Sequence, residues 1–239
     1  MRPHDSPQKQ FEANSLAKIF NPSDAVARTA RFHSTRQLWI SSILAITLAL
    51  ALPYPLMAKT IRYQTAHNPG SLKIKGTSTL HNWTIRSKGL GGTAVFKAGT
   101  NNKLPSLIPE KIHLTIAVLS LKGSDGSGMD ATIHRKLISG QDPKITYVLK
   151  KAVLLHAAGR HQPWSTWNAT GVLTAAGHPK TVHLKLKVLR ASNGTISIET
   201  RTILKMTDFG ISPPTAMLGI IRSGNKIKIK VLWNLMPKH

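Results

Sequence analysis

Acid–base chemistry needs carboxylates or histidines held beside a nucleophile, and this sequence offers few of them. Of its 239 residues, 33 are lysine or arginine, only 9 are aspartate or glutamate, and none is cysteine. Residues 59–239 contain six acids, namely Glu110, Asp125, Asp130, Asp142, Glu199 and Asp208. Because these acids are scattered, we predict no catalytic residues and no enzymatic activity. A hydrolase or isomerase that acts on a bound chain is the enzymatic alternative.

Metal and nucleophile chemistry has equally little support in the sequence. Without cysteine, the chain has no thiolate zinc site, disulfide or cysteine nucleophile. The histidines, including His81 beside Trp83, lack the paired spacing of helical metal ligands. Asp208 lies in a Met-Thr-Asp-Phe-Gly segment similar to the kinase metal-binding triplet, but no kinase glycine-rich loop or catalytic loop accompanies it. We therefore predict a tight turn there, no metal site and no cofactor.

The elements that would position any site are mostly strands. In residues 111–118, 182–188 and 226–233, apolar side chains alternate with lysines, histidines and other polar groups. This period of two is typical of strands with one dry face and one wet face. Further strand candidates, separated by turn signals, are 72–77, 83–87, 93–97, 145–155, 167–175 and 195–205.

One segment has a helical period instead. Met129, Ile133 and Leu137 fall at a spacing of four, behind a candidate Ser127 cap and before Gly140. This pattern predicts a single short α-helix. Antiparallel strands with one dry face must close into a barrel or pack as a sandwich. We predict an all-β fold, an eight-stranded (or nine-stranded) antiparallel β-barrel with one short α-helix.

Residues 1–58 are predicted to be a basic leader with a signal peptide or membrane anchor. The hydrophobic segment 38–52 follows Arg31 and Arg36, and no charged residue lies between Gln37 and Ala58. A bilayer-spanning helix needs about 20 apolar residues, whereas a shorter run behind positive charge is typical of a signal peptide. We expect a periplasmic or secreted protein. An uncleaved anchor is the alternative.

Five motifs, in order along residues 60–236, resemble the YceI-like lipid-binding proteins. They are residues 73–83 (KIKGTSTLHNW), Met129–Asp130, residues 142–145 (DPKI), residues 171–180 (GVLTAAGHPK) and residues 206–214 (MTDFGISPP). Asn82 differs from the aspartate that is frequent in the family. The resemblance implies that residues 59–239 form a lipocalin-like barrel, exported to the periplasm, which holds a polyisoprenoid or another long-chain amphiphile.

An eight-stranded barrel has room for packed side chains or one slim ligand. The sequence does not distinguish a filled bore from an open one. Residues 209–221 form an apolar loop without periodicity, which we expect to line, cover or plug the mouth of the barrel. The predicted ligand-binding residues of the bore and mouth are Ile74, Trp83, Phe96, Ile112, Leu114, Ile116, Tyr147, Leu184, Leu186, Ile198, Leu204, Met217, Leu218, Ile229, Val231 and Trp233.

Two functions are consistent with these features. The first is an exported, non-enzymatic carrier, store or scavenger of a polyisoprenoid or fatty-chain lipid. The second is a basic adhesion module whose outer lysine rows bind anionic lipid, glycan or another polyanion, since residues 59–239 have 27 basic residues against six acids. Peripheral contact with an anionic membrane fits both functions. We expect no nucleic-acid partner, and the sequence leaves the oligomeric state open, a dimer included.

Overall fold

The computed structural model describes residues 59–99, 107–138 and 143–238. The leader, with its predicted signal peptide or anchor, lies outside the described residues. Within them, no helix is both long and apolar enough to span a bilayer.

The described residues form twelve strands and one α-helix. In chain order these are β1 (Thr60–Thr77), β2 (Asn82–Ser87), β3 (Leu90–Ala98), β4 (Leu107–Ala117), β5 (Lys122–Gly123), α1 (Ser127–Ile138), β6 (Lys144–His156), β7 (Ser165–Ala175), β8 (His178–Arg190), β9 (Ile196–Lys205), β10 (Thr215–Ala216), β11 (Ile221–Arg222) and β12 (Lys226–Pro237). The predicted helix and strands are confirmed, and β1 extends well beyond its predicted start.

Eight of these strands close into an antiparallel barrel, as predicted. The order around the barrel is β12, β9, β8, β7, β6, β4, β3 and β1, and β1 pairs again with β12. The first half of β1 pairs with β3 and its second half with β2. The register between β1 and β12 shifts between Thr65 and Gly70, where Gly70 has a φ of +93°. Glycine adopts this conformation without a steric penalty, so β1 can change partners there.

The alternation of side chains sets which face of each strand is buried. On β4, Ile112, Leu114 and Ile116 are buried, whereas Lys111 and His113 are exposed. The strands β8 and β12 repeat this pattern, with their lysines outside. Because successive side chains point to opposite faces, the alternate apolar side chains of these strands point into the barrel.

Helix α1 is attached to the barrel at its first turn. The Asp130 carboxylate accepts a hydrogen bond from the Gly123 amide (2.7 Å) and forms an ion pair with Lys122 (3.0 Å). A carboxylate in the first turn also interacts favourably with the helix dipole. These contacts place the apolar stripe of α1 over one end of the barrel.

Candidate ligand-binding site

The interior of the barrel contains an apolar cavity of about 460 Å³. Ligand sites in proteins commonly have volumes of about 300–1,000 Å³ and mostly apolar walls with a few polar groups. Of the residues predicted to line the bore and mouth, all except Phe96, Met217 and Leu218 line this cavity. The inward faces of seven barrel strands meet there, because each strand contributes its alternate apolar side chains.

The cavity is closed at one end of the barrel by large side chains. Along β12 its lining continues to Trp233, whereas Leu235 is fully buried and outside the lining. The indole Nε1 of Trp233 donates a hydrogen bond to Thr65 Oγ1 at 3.1 Å. Tyr63 and Phe96 pack edge to face beyond this level, with ring centroids 5.5 Å apart. Trp233 is therefore the floor of the cavity.

This packing explains why Phe96 does not line the cavity, although it was predicted to do so. Phe96 is fully buried on β3, where it pairs with Ile61 near the start of β1, at the closed end of the barrel. It points inward as predicted, but it lies below the floor. Met217 and Leu218 were predicted to line the mouth and do not. Their side chains are exposed to solvent in the segment between β10 and β11.

The open end is formed by three segments. They are the turn 78–81 between β1 and β2, helix α1, and residues 206–223 between β9 and β12. The α1 side chains Met129, Ile133 and Leu137 all line the cavity, although they are not among the predicted site residues. Their spacing of four was the signal, since it marks the face of a helix that must cover an apolar surface.

The geometry of the 73–83 motif depends on close packing between two strands. Gly76 on β1 lies directly opposite Trp83 on β2. A Cβ atom on residue 76 would collide with the indole ring, so glycine lets the ring lie against β1. The Trp83 Nε1 donates to the Thr77 carbonyl at 3.0 Å. The apolar part of the indole thereby faces the cavity while its polar atom is satisfied.

Polar groups are concentrated at the rim. The His81 Nδ1 lies 3.0 Å from the Asn82 carbonyl, which can only accept, so this nitrogen carries a hydrogen. The opposite ring atom, Nε2, is 3.5 Å from Asp125 Oδ2. Both side chains and Ser78 line the mouth of the cavity, and His81 and Asp125 are about half exposed. These groups can hydrogen-bond the polar head of an amphiphile whose chain occupies the bore.

One polar atom in the wall has no partner. The Tyr147 hydroxyl is buried and, within the described residues, forms no hydrogen bond. Its ring lies over Gly171 of the neighbouring strand β7, where any Cβ would collide with it. Burial raises the pKa of Tyr147 to about 12, because the apolar surroundings disfavour the phenolate. This hydroxyl and Thr146 are the polar groups that β6 contributes to the cavity lining.

The part of the chain that the structure describes contains no group of three histidine, aspartate or glutamate side chains placed to hold a metal ion. Asp208, in the kinase-like triplet, lies in a 3-10 turn that ends at Gly210 with a φ of +67°. This is the tight turn that the sequence predicts.

The sequence also matches the model of a known protein family. A model of the YceI-like domain matches residues 80–234. The chain belongs to this family. Among curated proteins, none matches the sequence significantly.

Solved structures similar to this YceI-like chain come from several bacteria. A polyisoprenoid binding domain from Saccharophagus degradans, implicated in plant cell wall breakdown, has 13% identity and a TM-score of 0.51, covering 74% of this chain and 99% of its own. BcnA from Burkholderia cenocepacia has 16% identity and a TM-score of 0.45, covering 69% and 96%. The Campylobacter jejuni YceI protein has 17% identity and a TM-score of 0.45, covering 65% and 84%. At 13% identity, the first likeness supports the fold alone.

Proposed function

We propose that this YceI-like protein is a non-enzymatic binding protein that holds one long-chain amphiphilic lipid, such as a polyisoprenoid, in its barrel. The observation that carries the proposal is the cavity, which has a floor at Trp233, mostly apolar walls and its charged groups at the mouth. A long apolar chain can be desolvated along the bore while its polar head stays at the rim with His81 and Asp125. The polyisoprenoid binding domain of Saccharophagus degradans, a structural neighbour, supports the same ligand class.

The absence of enzymatic activity is part of this proposal. Among the described residues, His81 and Asp125 form the only histidine–carboxylate contact within 4 Å, and it lies at the rim, about half exposed. General acid–base catalysis works best when the proton-transfer group is held close to the reacting atom and away from bulk water. We therefore assign this pair to headgroup recognition.

Lipid loading tests the proposal. Purified full-length protein is titrated with prenyl alcohols of increasing length, in competition with a fluorescent polyene fatty acid. Each additional methylene that enters the bore should raise affinity by up to about 0.8 kcal/mol, nearly fourfold, until the chain reaches the floor. Affinity that is independent of chain length, or no binding of any long-chain amphiphile, would contradict the carrier function.

Export is proposed on the sequence alone. The hydrophobic segment 38–52 behind Arg31 and Arg36 supports a periplasmic or secreted protein. Cell fractionation followed by N-terminal sequencing tests this, with a mature start expected near residue 52 or 59. Full-length protein found only in the cytosol would contradict it.

A second candidate function, adhesion to a polyanion, rests on the outer face of the barrel. Five consecutive strands place basic residues directly opposite one another in the order Lys122, Arg86, Lys73, Lys230 and Arg201. The neighbouring charges, Lys75 and Arg86 above all, lower the pKa of the Lys73 ammonium. Asp130 already pairs with Lys122, and Glu199 pairs with Lys230 and Arg201. Like charges in directly paired positions destabilise a sheet, so a bound anion would relieve the repulsion between Lys73 and Arg86.

Retention on dextran sulfate tests this candidate. The pair Lys73→Gln and Lys230→Gln should weaken retention, whereas the pair Lys150→Gln and Lys151→Gln on β6 should leave it unchanged. Equal effects of the two pairs would mean that only the total charge matters.

A further inference from the structure

Four large apolar side chains are exposed beside the mouth of the cavity. Leu80 lies in the turn between β1 and β2, and Met217, Leu218 and Ile220 lie between β10 and β11. Their exposed fractions range from 68% at Leu80 to complete exposure at Leu218. We call these four residues the apolar tip. Burying exposed aliphatic side chains removes apolar surface from water, so the tip has a strong tendency to enter an apolar phase.

The two segments that carry the tip are joined by hydrogen bonds. The Thr79 amide donates to the Arg222 carbonyl (3.0 Å), and Thr79 Oγ1 donates to the Ile220 carbonyl (3.2 Å). The Arg222 amide donates to Thr79 Oγ1 (3.2 Å), and its Nε donates to the Gly219 carbonyl (2.8 Å). The hairpin of β10 and β11 is therefore fixed to the turn 78–81, and the tip is presented on a defined surface.

The backbone conformation of the tip is unusual for large side chains. Met217 and Leu218 have φ values of +50° and +55°, in the left-handed region that glycine normally occupies. A left-handed conformation costs a non-glycine residue free energy, and such strain is concentrated at functional positions. Here it directs two apolar side chains into solvent, where most of their surface is not packed against the fold.

The surface around the tip is positively charged. Arg222 is within the hairpin, and Lys205 and Lys226 are paired opposite each other where β9 ends and β12 begins. The next register positions along the barrel wall pair Lys75 with Lys228. The acids near this end are Asp125, which faces His81, and Asp208. Basic residues thus outnumber acids around the tip.

We propose that the apolar tip and the adjacent basic residues dock the barrel, mouth first, on the surface of an anionic lipid bilayer. Aliphatic side chains surrounded by lysine and arginine match an anionic leaflet, in which headgroups take the charges and acyl chains take the apolar groups. A soluble glycan or polyphosphate would satisfy only the charges. Docking goes beyond lipid binding in the bore, and it would bring the mouth, lined by Leu80 and Ile221, against the phase that holds long-chain lipids.

A single label measures docking at the tip itself. The chain contains no cysteine, so Leu218→Cys creates one unique attachment site for an environment-sensitive dye in the full-length protein. Leu154→Cys is the matched control, because Leu154 is also a leucine, is 42% exposed and lies towards the closed end of the barrel on β6, outside the cavity lining. Both proteins contain the same leader, so a difference between the two labels does not arise from residues 1–58.

The labelled proteins are mixed with phosphatidylcholine vesicles that contain or lack phosphatidylglycerol, with quenchers attached to the acyl chains. The label at position 218 should be quenched severalfold more than the label at 154, and only with phosphatidylglycerol present. The pair Lys226→Gln and Lys228→Gln should weaken vesicle binding by roughly 25-fold at low salt, since each lysine near an anionic leaflet contributes about fivefold. The pair Lys150→Gln and Lys151→Gln should leave binding unchanged.

Three outcomes would overturn the proposal. The first is equal quenching at positions 218 and 154, and the second is equal quenching with and without phosphatidylglycerol. The third is a label at 218 that is shielded by a second copy of the chain when no vesicles are present. Leu218→Gly serves as a folded variant, because glycine suits the φ of +55°. It should dock more weakly while retaining its melting temperature. The lipid content of the purified protein is measured separately, so failure of docking and failure of the carrier function are distinguishable.

Discussion

The replacement Ile229→Trp would obstruct the bore without opening the barrel. Ile229 lies on β12, lines the cavity and is paired on both sides, with Ile74 of β1 and Thr202 of β9. The backbone is therefore held by two neighbouring strands, and the indole ring must project into the cavity. Ile203→Trp is the matched control, because Ile203 is next to Thr202 on β9 but is 61% exposed on the outer face.

The expected effect follows from the length of chain that the indole displaces. We estimate that the added ring excludes about four methylene groups, each contributing about 0.8 kcal/mol when buried. The loss is about 3 kcal/mol, which corresponds to more than a hundredfold in Kd. Overpacking a filled core typically costs 1–3 kcal/mol. Because Ile229 faces open space, the cost to folding should be about 1 kcal/mol or less.

The assay compares the two variants with the parent protein by thermal unfolding and by competition with a fluorescent polyene fatty acid. Ile229→Trp should melt close to the parent and bind long chains at least a hundredfold more weakly, while short chains bind almost normally. Ile203→Trp should match the parent in both measurements. If Ile229→Trp folds and retains parental affinity for long chains, the ligand does not occupy the bore and the reasoning is refuted.

Three further predictions concern the folded state. Since burial raises the pKa of Tyr147 from its ordinary 10.0 to about 12, the unfolded chain ionises first. Tyr147 should therefore lower the free energy of unfolding between pH 10 and 12 by up to about 2–3 kcal/mol. Tyr147→Phe should reduce the fall in urea titrations and leave the part that Tyr63 contributes, whose pKa burial also raises; an unchanged pH profile would contradict it. The Gly123 amide and Lys122 lower the pKa of Asp130, so its stabilising effect is fully present above pH 3.8 and is lost as the pH falls below it. Asp130→Asn should accordingly destabilise the protein at neutral pH but not in acid, a difference that calorimetry would detect. Gly76→Ala should destabilise by about 1–3 kcal/mol through collision with the Trp83 ring, and an unchanged urea midpoint would be inconsistent with the close packing described.

Strand periodicity predicted the inward face of the barrel but not the height of each residue along its axis. Ile229 and Phe96 both point inward, yet only Ile229 lines the cavity, because Phe96 lies below the floor formed by Trp233. The period of two determines on which side of a strand a residue lies. The height depends on the registers between strands, which are set by bulges such as that between Thr65 and Gly70.

The mouth was less predictable for a different reason. The apolar composition of residues 209–221 predicts a segment that lines, covers or plugs the opening, and Phe209 and Ile221 do line it. The outward direction of Met217 and Leu218 depends on two left-handed residues, a conformation that large side chains rarely adopt. Helix α1 was predicted with nearly correct bounds. Its role as one wall of the mouth became visible only from the packing of Met129 and Leu137.

The most direct test of the lipid-binding function is mass spectrometry of an organic extract from the full-length protein, purified without detergent from the cells that naturally express it. We predict about one long-chain amphiphile per protein chain, and its depletion or replacement by shorter chains in Ile229→Trp but not in Ile203→Trp. An extract without lipid, together with failure to load any long-chain amphiphile into the protein, would contradict the account.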